Sequence, residues 1–153
     1  MEELASHYVM AFGLTALLAV VCVAIHYEAL RAISAFHPKR WHGRAGVGGI
    51  IMCLIVAHCI EALVFGLGYW VGSEVLYLGT FIGPAHMNPF VYAYFSLETF
   101  TTQSLGNVYP TGPLRLTAAV EPLVGLILIG WSTSFTFLAM QRNWPRWKSD
   151  EKD

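Results

Sequence analysis

Three long stretches of the chain are almost free of charge. Tyr8 to Ile25 carries none and continues apolar to about Ile33. Val47 to Val71 is interrupted by His58 and Glu61, and Leu116 to Met140 by Glu121. A bilayer core takes about 20 apolar residues as helix, so the pattern predicts membrane spans at about 8–33, 47–71 and 116–140. The first run follows Glu2 and Glu3 rather than basic residues, and it is too long for the apolar region of a signal peptide. Residues 88–101 read N-P-F-V-Y-A-Y-F-S-L-E-T-F-T. Asn88 suits a helix cap and Pro89 the first helical position. The apolar run after them is too short to cross a bilayer but fits a re-entrant helix at about 89–101. The T-T-Q-S-L-G-N-V-Y-P-T-G-P that ends it is full of turn formers.

Composition agrees with this pattern. Of 153 residues, 56% are hydrophobic and 12% charged, against about 25% charged in a soluble domain. Mean hydropathy is +0.53. The length fits one membrane domain, 1–153, and a chain this short cannot bury so much apolar surface from water. A soluble enzyme, a disordered tail and a nucleic-acid binder are excluded, and the net charge of −1 provides no basic field. Cys22, Cys53 and Cys59 lie in apolar runs without a C-x-x-C spacing, and read as small buried hydrophobes.

Basic residues set the expected orientation. Arg31, Lys39, Arg40 and Arg44 surround the first loop, and Arg142, Arg146, Lys148 and Lys152 lie in the tail. Only Arg115 falls between the second and third spans. The positive-inside rule puts the first loop and the C-terminus in the cytoplasm, and the N-terminus and re-entrant segment outside. Trp70, Tyr77, Trp144 and Trp147 fall at the expected interfaces.

Irregular backbone at membrane depth is tolerated only where it is buried or lines a water-filled cavity. There its carbonyls replace water around a cation, and the C-terminal end of the short helix adds partial negative charge. A cation site is expected near residues 101–107. Here F-S-L-E-T-F-T-T-Q-S-L-G-N-V-Y-P, from Phe95 to Pro110, resembles the pore helix and filter of the tetrameric potassium-channel family, roughly F-S-x-x-T-x-T-T-V-G-Y-G-D-x-x-P. The G-P-L-R-L-T-A-A-V-E-P-L-V-G-L-I-L-I-G-W-S-T-S-F that follows resembles the start of its pore-lining helix. The overall pattern is similar to small bacterial ion-channel proteins of the two-pore-domain-like type.

The resemblance implies an all-α membrane protein: three transmembrane helices plus a re-entrant pore helix and a filter loop at about 102–107, assembled as a homotetramer in the cell (inner) membrane. Thr101 and Thr102 match the threonines that open the filter, and Gly106 keeps its second glycine. Gln103 stands for the usual Val, Ser104 for the first glycine, Leu105 for Tyr and Asn107 for Asp. Glu98 matches a glutamate behind the filter, and Gly125 falls near the gating hinge. A filter whose carbonyls point inward alternates ordinary and positive φ, which costs a non-glycine residue such as Ser104 roughly 1 kcal/mol or more. Two functions follow. One is a channel for K+ or Na+ with an altered, weakly selective filter; the other is a non-conducting assembly or partner-binding protein that retains the pore fold. Neither involves catalysis or a cofactor beyond permeating cations.

Four further features remain. His58 and Glu61 share one face of the second span, and with His26 form an intramembrane polar cluster, read either as a helix tie or as a proton-linked switch. Counting about 1.5 Å per residue, His26 and His58 lie roughly 9 Å apart in depth, which speaks against bis-histidine haem ligation, and the sequence has no C-x-x-C-H or H-E-x-x-H. Glu121 is expected to find its partner on another segment, and Pro122 either kinks the last span or sits in its first turn. The G-R-A-G-V-G-G from Gly43 to Gly49 reads as a loop, and Gly68 and Gly72 as a G-x-x-x-G packing pair.

Overall fold

The computed structural model describes residues 2–36, 44–83, 87–103 and 106–143. Three of its helices are long and apolar enough to cross a membrane: α1 (Glu2–Phe36), α2 (Arg44–Trp70) and α4 (Leu114–Asn143). Each exceeds the expected span at both ends or continues past it. α1, with 35 residues, is about 50 Å long, so it tilts or projects beyond a bilayer core of about 30 Å. The stretch read as a loop is helical from Arg44 onward. A side chain at Gly48 would meet nothing described within 4 Å, so close helix contact does not explain that glycine.

α2 passes into a π-helical turn, Val71–Val75. The chain then forms β1 (Phe81–Ile82), the short α3 (Pro89–Phe100) and β2 (Tyr109–Pro110). β1 and β2 pair antiparallel, Phe81 opposite Pro110 and Ile82 opposite Tyr109. Beside them Thr111 N–H donates to the Thr80 carbonyl at 2.8 Å.

Lipid is as apolar as leucine, so packing and hydrogen bonds rather than apolar burial hold the helices together. α1 packs on α2 and α4, while α3 wedges mainly against α2 and also against α4. Gly68 and Gly72 lie at these contacts: a Cβ on the first would strike Leu18 of α1, and one on the second Leu114 of α4. The centre is aromatic. Phe95 of α3 meets Tyr69 at 5.0 Å and Phe81 at 5.2 Å between ring centroids, both edge to face. Such pairs contribute about 0.5–1.5 kcal/mol each beyond area burial. Pro122 lies inside α4, well past its first turn, so the N–H that would bond Ala118 is missing there.

Candidate functional site

α3 is too short to cross a membrane. Its 12 residues reach about 18 Å. The Asn88 side chain accepts the Val91 N–H at 3.1 Å, and Pro89 holds the first helical position. These two residues start the helix where the sequence places its cap. One face is buried through Tyr92, Phe95, Ser96 and Phe100. The opposite face is an exposed apolar stripe of Phe90, Tyr94 and Leu97, 85%, 47% and 45% exposed. Two further contacts seat the helix. Tyr92 OH donates to Glu74 Oε1 of the π-turn at 2.7 Å, and a Cβ on Gly66 of α2 would lie 3.2 Å from Ala93 Cα.

The candidate filter follows. Thr102 N–H donates to the Thr99 carbonyl at 3.0 Å, and Gln103 N–H to the Glu98 carbonyl at 2.7 Å. With Thr102 at φ +63, this is a Schellman end, with threonine where glycine is usual. The left-handed conformation costs threonine about 1–2 kcal/mol. Thr101 Oγ1 donates to the Leu97 carbonyl at 2.8 Å. Several of the last carbonyls of α3 thus already accept hydrogen bonds from the chain itself.

Thr101, Thr102, Gln103, Gly106 and Asn107 are all exposed in a single chain. Ser104 and Leu105 lie outside the described residues. Gly106 has φ +73. Positive φ therefore occurs at positions 102 and 106, an even spacing with Ser104 midway. The far side of the segment is anchored, because the Asn107 carbonyl occupies the place a Cβ on Gly83 would take.

In the last turn of α3, Glu98 is buried, and its Oε1 has no hydrogen-bond partner among the described residues. The C-terminal end of α3 presses on α4 at Gly125, where a Cβ would collide with the Phe100 carbonyl. Gly125 thus has a packing reason to be glycine.

Glu121 of α4 is fully buried. Tyr69 OH donates to its Oε2 at 2.5 Å. Ser96 Oγ reaches its Oε1 and also lies 2.6 Å from the Ala62 carbonyl. The expectation of a partner on another segment holds, and one carboxyl joins α2, α3 and α4. Sequence reading missed Tyr69 and Ser96. Ser96, a hydroxyl inside an apolar helix, was the only available signal.

The polar cluster differs from expectation in depth. His26 and His58, expected roughly 9 Å apart in depth, have ring centroids 5.3 Å apart and stacked. Side chains lean toward the N-terminus of their helix. α1 and α2 are consecutive spans joined by a short connection and run in opposite directions, so the lean of His26 and that of His58 close the gap. His26 Nδ1 lies 2.9 Å from Glu61 Oε1, and His58 Nδ1 2.9 Å from Oε2. Ser132 of α4, which sequence reading did not select, lies 3.0 Å from His58 Nε2. The ligand atoms of His26, His58 and Glu61 all fall within 4.8 Å of one another. The depth argument against haem therefore fails, but rings stacked this closely leave no room for a haem between them.

A family model described as "Ion channel" matches residues 50–142, well over half of the chain. No curated protein and no solved structure matches the chain. The matched region starts near the beginning of α2, contains α3 and the segment after it, and ends with α4. Two apolar spans thus flank a short helix whose C-terminal end opens into exposed, irregular backbone, and the chain belongs to the potassium-channel-like, two-helix-pore family of ion channels.

Proposed function

We propose that four copies of the chain surround a central pore and conduct K+ or Na+, with residues 101–107 of each copy forming the selectivity filter. The observation that carries this reading is the segment itself: a helix too short to cross a bilayer, followed by exposed backbone with positive φ at Thr102 and Gly106. One such strand cannot surround an ion, so symmetric assembly is required. The exposed stripe Phe90–Tyr94–Leu97 is the face that a neighbouring copy covers. In this arrangement α4 lines the pore, α1 is peripheral and Glu98 stands behind the filter. Gly125 is the position at which α4 flexes against α3. The distribution of Lys and Arg supports a cytoplasmic C-terminus and an outward-facing filter in a cell membrane.

Selectivity is weak in this reading. Ser104 stands where the family has glycine, and Asn107 removes a negative charge from the outer mouth. A non-conducting assembly has one observation in its favour, the Schellman end that engages carbonyls of α3.

The test is Gly106→Val. A side chain there would meet nothing described within 4 Å, but at φ +73 it costs roughly 1 kcal/mol or more per copy. Cation flux into proteoliposomes should fall to background while size-exclusion elution is unchanged. Unaltered flux in the variant refutes the filter assignment, and absence of flux in the parent protein favours the non-conducting assembly.

A further inference from the structure

We propose that His26, His58 and Glu61 form a binding site for one divalent transition-metal ion of the zinc class, fixing α1 to α2 beside α4. The inference rests on the three-helix packing and does not require that the filter conducts.

The argument begins with the hydrogens available. Glu61 and His26 are fully buried. Each oxygen of the Glu61 carboxylate faces one imidazole Nδ1 at 2.9 Å. If both imidazoles are neutral and donate there, each has one N–H and both Nε2 atoms are acceptors. Ser132 has a single hydroxyl hydrogen for the two of them. It lies 3.0 Å from His58 Nε2 and 3.5 Å from His26 Nε2. One buried imidazole nitrogen is then poorly satisfied, and a carboxylate charge stands in an apolar span, where such charges are paired. A single cation among the three side chains resolves both deficits.

The donor set selects the class of cation. Two imidazoles and one carboxylate are a zinc-type combination, whereas calcium and magnesium prefer all-oxygen sites. Tetrahedral bonds of about 2.0–2.1 Å place ligands about 3.3 Å apart. The donors already lie within 4.8 Å of one another, so side-chain rotation suffices. A groove of about 470 Å³ between α2 and α4, lined by Ile51, His58, Ser132, Thr136 and Met140 among others, reaches the edge of the cluster. The His58 side chain is 19% exposed, which leaves a coordination position for water, while Ser132 stays on the Nε2 side of both rings and accepts their N–H groups.

The test uses the full-length protein in detergent, stripped with a chelator and titrated with Co2+ as the visible probe, then with Zn2+ in competition. The expected result is about one Co2+ per chain in a tetrahedral ligand field, displaced by Zn2+. His26→Gln and His58→Gln should each weaken binding by about 100-fold or more, beyond the 10–100-fold typical of supporting residues, with unchanged elution. A variant lacking His37 and His42 should bind as the parent does. Because loss-of-ligand variants can misfold, His58→Cys provides the opposite test. It replaces one nitrogen donor by a thiolate, so it should retain Co2+ binding and add a thiolate-to-cobalt charge-transfer band. The proposal is overturned if the stripped parent takes up no Co2+ and the cluster holds only a proton. It is equally overturned if binding survives in the His26/His58 double variant, or if His58→Cys binds Co2+ without a thiolate-to-cobalt band.

Discussion

Replacing Glu121 separates two accounts of what its carboxyl does. Tyr69 OH and Ser96 Oγ both reach it at 2.5 Å, and Ser96 also lies 2.6 Å from the Ala62 carbonyl. Ser96 has one hydrogen for two neighbours. Glutamine keeps the shape and improves the match. Its carbonyl accepts from Tyr69, its amide donates to Ser96 Oγ, and Ser96 then donates to Ala62. Glu121→Gln should therefore change stability by less than about 1 kcal/mol, close to the worth of one ordinary hydrogen bond. Alanine leaves the buried Tyr69 hydroxyl without an acceptor, about 1–3 kcal/mol. It also opens a cavity between α2, α3 and α4, roughly another 1–2 kcal/mol. Glu121→Ala should thus cost about 3 kcal/mol. The assay is the thermal midpoint of the detergent-purified protein, followed by tryptophan fluorescence, for both variants and for Tyr69→Phe. The phenylalanine variant removes a donor and should cost less than alanine. If glutamine destabilises as much as alanine, the negative charge itself is what matters, and the hydrogen-bond account fails.

Gly125→Ala drives a methyl group into the Phe100 carbonyl and should cost about 1–3 kcal/mol, the range for overpacking; the same fluorescence midpoint reads it, and an unchanged midpoint means α3 and α4 separate freely there. Asn88→Ala removes the acceptor for Val91 N–H and should cost about 1 kcal/mol, read the same way, with no loss if water replaces the cap.

What was legible in the sequence follows the range of the forces involved. The three spans depend on long apolar runs, and the start of α3 on the adjacent pair Asn88–Pro89. Both are local, and the structure has helices in all four places. Side-chain partnership is not local. Nothing near Glu121 in sequence points to Tyr69, 52 positions away, because that pairing depends on how α2 and α4 cross. Rise per residue alone misplaced His26 relative to His58, since it ignores the opposite lean of side chains on antiparallel helices. β1 and β2, two residues each, are too short for any alternation to show. The candidate filter residues Thr101 to Asn107 rest on resemblance and turn-forming composition. The backbone handedness at Thr102 became visible only with the end of α3 in place.

Current across a planar bilayer containing the purified protein, with K+ on one side and Na+ on the other, tests the central claim most directly. The account predicts a cation current that reverses between zero and the potassium limit, because Ser104 replaces a filter glycine. Silence across voltage and pH, from protein shown to be tetrameric, would contradict it.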